Sequence, residues 1–389
     1  MQGDGFSKIY LGKRSLIKKW PIGAALIFQN KHKPVSRGKN MTDVVELLKK
    51  ITPELIDRIY LRYLILREIN YSQPIGRRRL SNKLEVNERP LRREIKLLEE
   101  QDLIEIGKWG MQLTPEGKGI IQELEKFVVD LKGLQRASDI IKKAFGFKDV
   151  IIMPGDSDKD PLVKKQMGKA GAQYFLSRVK NGDVVAITGG TTMAEIAKSM
   201  EPVSCPVDVL VVPGRGALGE KVDIQADTIA ARLAQKLGGR YKLLHIPDTL
   251  DRHTMERVVK DNKIKNVIQM IKSANILLHG IGAAKKMAKR RGLSAEEIAQ
   301  LEKNKAVSET LGYYFDEKGN IVYETSSIGL DLKDIKNMRT VITVAGGSRK
   351  ALAIISVTRY FNDVLITDEG AAEKIIMYLR RGMDEQEKC

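Results

Sequence analysis

The sequence predicts an α/β protein with an N-terminal winged helix-turn-helix domain and a C-terminal doubly wound, mainly parallel sheet. Two observations predict this fold class. Two short helical patterns and a hairpin pattern follow one another between residues 77 and 114, and apolar strands alternate with glycine-rich loops and helices from residue 149 onward. Such alternation is typical of a parallel sheet covered by helices on both faces. At 389 residues the chain is long enough for two or three domains.

Residues 1–40 are a basic arm. They carry nine Lys or Arg and one Asp, a net charge of +8 out of the formal +18 of the chain. The apolar segment 22–28 is far too short to span a membrane, and no clean cleavage site follows it. We therefore expect the arm to lie outside the fold, which would begin near Met41, a candidate for the natural start.

Residues 41–116 are predicted to form a winged-helix DNA-binding domain. Apolar residues keep helical spacing over 42–70, and a turn at 72–76 leads to a short helix over 77–83. A second helix is predicted over 88–100. A hairpin over 103–114 then supplies the wing, with Lys108 and Trp109 at its tip.

The second helix of this domain has the pattern of a recognition helix, whose N-terminal half meets base edges in the major groove. Its apolar stripe consists of Leu91, Ile95, Leu97 and Leu98. The predicted DNA-binding residues, on its other face and at the wing, are Arg89, Arg92, Arg93, Lys96 and Lys108. An Arg-rich face is usually only a solvated surface, and the adjacent hairpin is what favours DNA binding here.

A linker helix is predicted within residues 117–148, as one helix from residue 117 to residue 145. Its apolar residues between 120 and 134 follow a heptad-like stripe. Such a stripe can pair with its twin in a dimer or pack on its own domain, and both alternatives stay open. We expect self-association as a dimer or tetramer.

The segment 183–200 organises the C-terminal domain, which is predicted to span residues 149–389. A buried strand over 184–187 breaks at Thr188-Gly189-Gly190-Thr191-Thr192, and an Ala-rich helix begins at once. Glycines allow close approach of the backbone, and the amides at a helix N-terminus favour an anion, so this loop predicts phosphate binding. It lacks the ending of a P-loop and the GxGxxG fingerprint. An ordinary strand-to-helix turn is the alternative.

Further strands and loops repeat the same unit. The other predicted strands are 150–153, 207–212, 242–246, 276–278, 341–344 and 364–367, and a polar hairpin is predicted over 311–327. Glycine-rich loops follow several of these strands. Ligands of doubly wound sheets bind beyond the carboxyl ends of the strands, where these loops would meet.

Cysteine and histidine give no sign of a metal or a disulfide. The two cysteines, Cys205 and Cys389, form no CxxC pair, and the four histidines are scattered without metal-ligand spacing. His279 ends an apolar run and is predicted to be a hydrogen-bonded residue at a strand end. We expect no cofactor and no metal, and a location in the reducing cytoplasm.

Seven segments, taken in order, resemble the SorC family of bacterial sugar-responsive repressors. They are PIGRR (74–78), TGGTT (188–192), PGRGALGE (213–220), HGIG (279–282), the Tyr-Tyr-Phe run (313–315), VAGGS (344–348) and TDEGAA (367–372). The resemblance runs from about Met41 nearly to the end of the chain. It implies a repressor that binds operator DNA and carries a C-terminal domain like the sugar-phosphate isomerase fold without its catalysis. It also implies a phosphosugar inducer, fructose-1,6-bisphosphate.

The resemblance also implies an effector site. Its residues are Gly189, Gly190, Thr191, Thr192, Arg215, Gln225, Arg290, Glu309 and Lys350. One phosphate would lie on residues 189–192, the cationic side chains would bind the phosphates, and Glu309 would accept from sugar hydroxyls. Arg290 or Lys350 taken alone would be ordinary surface charges.

Two other functions remain in view. A sugar-phosphate isomerase or deaminase would use the same loop and needs a carboxylate base, for which Asp368, Glu369 and Glu309 are candidates. No catalytic carboxylate and histidine set converges in the sequence, so we expect no enzyme. A general nucleic-acid packaging protein would leave the large α/β domain without a role.

Overall fold

The structure, a computed structural model, describes residues 41–216, 221–247, 252–325 and 328–386. The basic arm 1–40 and the segment 217–220 of the PGRGALGE motif lie outside the described residues.

The N-terminal part has the predicted order of helices followed by a hairpin. Its elements are α1 (Met41–Ile51), α2 (Pro53–Ser72), α3 (Arg77–Leu84), α4 (Glu88–Glu100), β1 (Ile104–Gly107), β2 (Gly110–Leu113) and α5 (Pro115–Leu131). Leu91, Ile95 and Leu98 of α4 are buried against apolar residues of α2, while Leu97 is half-buried. This confirms the winged helix-turn-helix, and we call residues 41–131 the head.

The prediction of one helix over 117–145 is wrong. The structure contains two helices, α5 and α6 (Leu134–Phe145), because Gly133 between them takes the left-handed conformation with φ of 67°. Ile121 and Val128 of the apolar stripe are buried, and α5 contacts α1 and α2. The stripe therefore packs within its own chain, which was one of the two alternatives.

The C-terminal part alternates strands and helices. Its elements in chain order are β3 (Asp149–Met153), α7 (Pro161–Leu176), β4 (Val184–Ile187), α8 (Thr191–Ser199), β5 (Leu210–Pro213), α9 (Ala226–Leu237), β6 (Arg240–Tyr241), α10 (Arg252–Val258), α11 (Asn262–Lys272), β7 (Ile276–His279), β8 (Gly282–Ala283), α12 (Ala284–Arg290), α13 (Ala295–Lys303), β9 (Ala306–Thr310), β10 (Tyr313–Asp316), β11 (Ile321–Glu324), α14 (Leu332–Ile335), β12 (Thr340–Val344), α15 (Ala351–Val357), β13 (Val364–Asp368) and α16 (Glu369–Gln386).

Seven of these strands form one parallel sheet in the order β3-β13-β12-β7-β4-β5-β6. The chain runs from β4 to β5 on one side, and from β7 to β12 on the other. The strand order therefore reverses between β4 and β7, where doubly wound sheets form their ligand crevice. Leu277 packs into one core layer and its neighbours Ile276 and Leu278 into the other, as expected of a sheet covered on both faces.

Two strands differ from their predicted bounds. Over residues 207–212 the strand starts late, because the Val207 amide donates to the Leu237 carbonyl at the end of α9 instead of to a neighbouring strand. Over residues 242–246 the chain leaves the sheet after β6, and the Leu244 amide donates to the Asp227 carboxylate at 3.2 Å. Side chains and helix ends thus replace strand partners at this edge.

Within the predicted hairpin 311–327, β10 and β11 belong to a second sheet, antiparallel, in the order β11-β10-β9-β8, and residues 326–327 lie outside the described residues. It is less polar than predicted, since Tyr314 and Phe315 are fully buried. Tyr314 packs with Ala288 of α12 and Leu301 of α13. This small sheet lies next to the loops that follow β5 and β7 in the large one, because Arg215 lies against Gly312 between β9 and β10, and β8 continues from the β7 loop.

Candidate effector site and nucleic-acid interface

The loop between β4 and α8 has the geometry of an anion site. An added Cβ at Gly189 would lie 2.9 Å from the Ile224 carbonyl oxygen, so only glycine fits. Gly190 has φ of 123°, and its amide donates to the same oxygen at 2.8 Å. The amides of residues 191–193 then occupy the first turn of α8, where intrahelical acceptors are lacking. These amides and the Thr191 and Thr192 hydroxyls can bind a phosphate.

Gln225 is brought to this loop by backbone contacts. It follows a short 3₁₀ helix (Val222–Ile224) whose last carbonyl holds Gly190, and the Ala226 amide lies 3.3 Å from the position of a Cβ on Gly189. The start of α9 therefore lies against the start of α8. Of the predicted effector residues, Gln225 and the four loop residues share one place in the fold.

Arg215 and Glu309 both lie against Gly312, between β9 and β10, and form a second cluster. Arg215 is 9% exposed, and its Nη2 donates to Thr325 Oγ1 at 3.3 Å. Glu309 Oε1 accepts from Arg291 Nη2 at 2.8 Å and from the Gly312 amide at 2.7 Å. Burial and the nearby Arg291 guanidinium lower the pKa of Arg215 to about 10. The Glu309 carboxylate acts on both guanidinium groups, through the ion pair with Arg291 and through its charge on Arg215.

Arg291 is a residue that the sequence reasoning missed. Its side chain is 5% exposed and pairs with Glu309, whereas Nη1 of the predicted Arg290 lies 3.9 Å from the sulfur of Met287. Both arginines stand at the end of α12, so only the turn of the helix decides which one faces Glu309. The two adjacent arginines in the sequence were the signal that could have identified Arg291.

Lys350 reaches the loop that follows β7. Its Nζ donates to the Ile281 carbonyl at 3.0 Å. Burial, followed by the positive charges of Lys164 and Lys286, lowers the pKa of Lys350 to about 8 against the opposing effect of Asp158. Lysines from α7, from α12 and from the β12 loop therefore raise the positive potential at the carboxyl edge of the sheet.

The candidate catalytic carboxylates have structural partners. Asp368 is fully buried and accepts from the amides of Ser157, Gly347 and Ala371, at 2.7–2.9 Å. Glu369 binds Lys132 at 2.8 Å and the Gly155 amide at 2.7 Å. With Glu309 held by Arg291, the three carboxylates proposed for an isomerase all maintain the fold of their loops.

His279 is confirmed as a hydrogen-bonded residue at a strand end. It is fully buried, with Nδ1 3.0 Å from Thr310 Oγ1 and Nε2 2.7 Å from Thr343 Oγ1. Burial lowers its pKa to about 3, so the ring is neutral at physiological pH. It joins β7 to its neighbour β12 in the large sheet and to β9 of the small sheet.

The predicted DNA-binding residues are all exposed on the head. Arg89, Arg92, Arg93 and Lys96 of α4 are exposed, and so is Lys108 at the tip of the hairpin. Lys108 Nζ lies 5.5 Å from the ring centre of Trp109, which is 78% exposed. An exposed basic helix beside an exposed hairpin tip is the arrangement of winged-helix DNA readers.

The structure adds two features to this surface. Arg77, Arg78 and Arg79 are exposed in the first turn of α3, where the first helix of such a motif crosses the DNA backbone. Their run in the sequence was a signal that the prediction did not use. On the inner side of α4, the buried Glu94 binds Arg62 Nε of α2 at 2.7 Å, which fixes the helix on the head.

Two kinds of site are absent from the part of the chain that the structure describes. Its helices include none with the length and apolar character needed to cross a membrane. No group of His, Cys, Asp and Glu within residues 41–216, 221–247, 252–325 and 328–386 could hold a metal ion.

Comparison with known proteins assigns both parts of the chain. The family model of the CggR N-terminal DNA binding domain matches residues 59–128, and that of a sugar-binding domain matches residues 129–377. Two curated relatives named Central glycolytic genes regulator, from Priestia megaterium and Bacillus subtilis, are each 42% identical and cover 86% of this chain and 99% of their own.

Solved structures agree with these matches. A SorC family transcriptional regulator from Enterococcus faecalis is 37% identical, with a TM-score of 0.59 over 62% of this chain and 99% of that one. The full-length Sorbitol Operon Regulator from Klebsiella pneumoniae, 19% identical, covers 83% of this chain and 98% of its own with a TM-score of 0.57, which shows a shared fold across both parts. These proteins are regulators of transcription and not enzymes.

Proposed function

The chain belongs to the SorC family of sugar-binding transcriptional regulators, and from this premise we propose that it represses glycolytic genes until fructose-1,6-bisphosphate releases it from its operator. The name of the two relatives with 42% identity, Central glycolytic genes regulator, supports the proposal that the target genes are glycolytic. The observation that carries the effector is the glycine loop at the N-terminus of α8, which lies where the strand order reverses.

A bisphosphate needs two groups of donors, and the carboxyl edge of the sheet offers more than one. The α8 amides with Thr191 and Thr192 would hold one phosphate. Positive charge for the second phosphate would come from two places. One is Lys350, near the β7 loop, and the other is the buried Arg215 with its neighbour Arg291. A monophosphate would engage only one group, so we expect it to bind without efficient release of DNA.

Operator and effector would act through the relative stability of two arrangements of the protein. The DNA-binding surface lies on α3, α4 and the hairpin, and the effector loops lie in another domain. A ligand can then act only by binding one arrangement more tightly than the other. Induction means that the bisphosphate stabilises the arrangement with the weaker hold on DNA.

Self-association as a dimer or tetramer is part of the proposal. Helix-turn-helix proteins commonly bind two half-sites as symmetric dimers. The apolar stripe of α5 packs inside the chain and gives no support to this step.

Effector binding should weaken as the pH rises. The pKa of Lys350 is lowered to about 8, and a bound phosphate favours the charged form of this lysine. The affinity for the effector is therefore highest below this pKa and declines above it. Calorimetric titration of the full-length protein with fructose-1,6-bisphosphate should give an affinity about tenfold lower at pH 9 than at pH 7. Lys350→Met should bind more weakly at pH 7 and lose this dependence.

Fructose 6-phosphate serves as the monophosphate control in the same titration. A wild-type protein that binds neither sugar would overturn the proposed effector. An unchanged pH dependence in Lys350→Met would remove Lys350 from the site.

A further inference from the structure

Helix α7 joins the head to the C-terminal domain through a buried arginine. Arg67 of α2 is 4% exposed; its Nη2 donates to the Asp160 carboxylate and its Nη1 to Gln166 Oε1 at 3.3 Å. Gln166 Nε2 in turn donates to the Tyr63 hydroxyl at 2.6 Å and to the Glu125 carboxylate, both in the head. The only charged partner of the Arg67 guanidinium among the described ion pairs is thus in the other domain.

The opposite face of α7 packs on the effector loops. An added Cβ at Gly168 would lie 2.8 Å from the backbone of Glu195, so α7 and α8 touch through their main chains. A Cβ at Gly346, in the loop before Lys350, would lie 2.7 Å from Met167 of α7. A shift of α8 or of this loop on ligand binding cannot occur without a response of α7.

The head side of the contact leads to the recognition helix. Asp160 uses Oδ1 to cap α7 by accepting from the Leu162 amide at 2.9 Å, so its position follows the helix. Arg67 stands on α2, whose Leu66 and Ile69 are buried in the same apolar cluster as Leu91 of α4. An unbroken series of contacts therefore runs from the phosphate loop through α8, α7 and α2 to α4.

We infer that Arg67, with Asp160 and Gln166, is the positioning residue through which effector binding changes the hold on DNA. Because Arg67 is buried, it cannot leave Asp160 without exposing or stranding a charge, which favours two discrete arrangements over a continuous slide. The inference rests on the proposed function for the identity of the effector.

The test compares Arg67→Met with Arg62→Met. Both variants replace an arginine of α2, but Arg67 binds Asp160 of the C-terminal domain, whereas Arg62 binds Glu94 of the head. The DNA is the duplex that the full-length protein selects from a random-sequence library. In the wild type, saturating fructose-1,6-bisphosphate should raise the operator Kd by roughly 5- to 150-fold. This ratio should fall at least about fivefold in Arg67→Met and stay at the wild-type value in Arg62→Met, which should weaken operator binding equally with and without the effector.

Asp160→Asn keeps the side-chain cap of α7 and removes only the charge, so it serves if Arg67→Met fails to fold. It should lower the ratio in the same direction. A wild-type ratio in both variants would overturn the inference.

A second readout does not depend on the effector. Operator binding to the wild type should change amide hydrogen exchange in α8, and this change should be lost in Arg67→Met but kept in Arg62→Met. If the wild type ignores fructose-1,6-bisphosphate, the proposed effector fails, and the exchange experiment still decides on Arg67. The inference would be contradicted if operator binding left amide exchange in α8 of the wild type unchanged. It would also be contradicted if operator binding changed this exchange equally in both variants.

Discussion

Thr191→Val is expected to require a far higher effector concentration for induction while leaving repression intact. Thr191 is exposed in the first turn of α8, and valine keeps its shape but cannot donate to a phosphate. A hydrogen bond to a charged group contributes about 1.5–3 kcal/mol, so effector affinity should fall by roughly 10- to 150-fold. Operator affinity without effector should stay within about a factor of two, because the residue lies outside the head.

Ser199→Ala is the matched control for this variant, since it removes a hydroxyl at the opposite end of the same helix. It should bind effector and respond like the wild type. Calorimetry gives the effector affinity, and an operator titration with fructose-1,6-bisphosphate gives the response. If wild type and Thr191→Val respond identically, the loop after β4 is an ordinary turn and not a phosphate site.

The double variant Arg92→Ala/Arg93→Ala is expected to lose most sequence-specific binding. Each arginine is exposed on α4, on the side away from the buried Leu91 and Ile95, and the helix is held on the head by Glu94. A base contact by arginine discriminates by roughly 1–3 kcal/mol, so two independent contacts amount to about 2–6 kcal/mol on the operator. Binding to random DNA should fall far less.

Lys108→Ala supplies the contrast. A lysine at the tip of the hairpin should contact the DNA backbone, so its loss should weaken operator and random DNA alike and reduce the salt dependence by about one ion. Binding isotherms at several salt concentrations separate the two effects. Equal losses on operator and random DNA in the arginine variant would show that α4 does not read sequence.

Local patterns were sufficient to predict most of the architecture. Pro53 separates α1 from α2 as expected, because proline is tolerated in the first turn of a helix. The strand–glycine–helix pattern around Gly189 predicted both β4 and α8, since close approach and positive φ require glycine there. The buried and exposed faces of α4 follow directly from helical spacing.

Contacts between distant segments could not be predicted. Whether Arg290 or Arg291 meets Glu309 depends on where α12 ends, and helix ends are the least certain feature of a sequence pattern. The break at Gly133 was hidden in a continuous apolar stripe. The pairing of Arg67 with Asp160, 93 positions apart, leaves no local signal at all.

Sugar bisphosphate and operator DNA should oppose each other through one protein, and the two affinities, each measured with and without the other ligand, show whether they do. The operator Kd should rise roughly 5- to 150-fold with saturating fructose-1,6-bisphosphate, and the effector Kd should rise by the same factor with saturating operator, because the coupling free energy is reciprocal. An operator affinity that the bisphosphate leaves unchanged would show that this sugar does not release the protein from DNA.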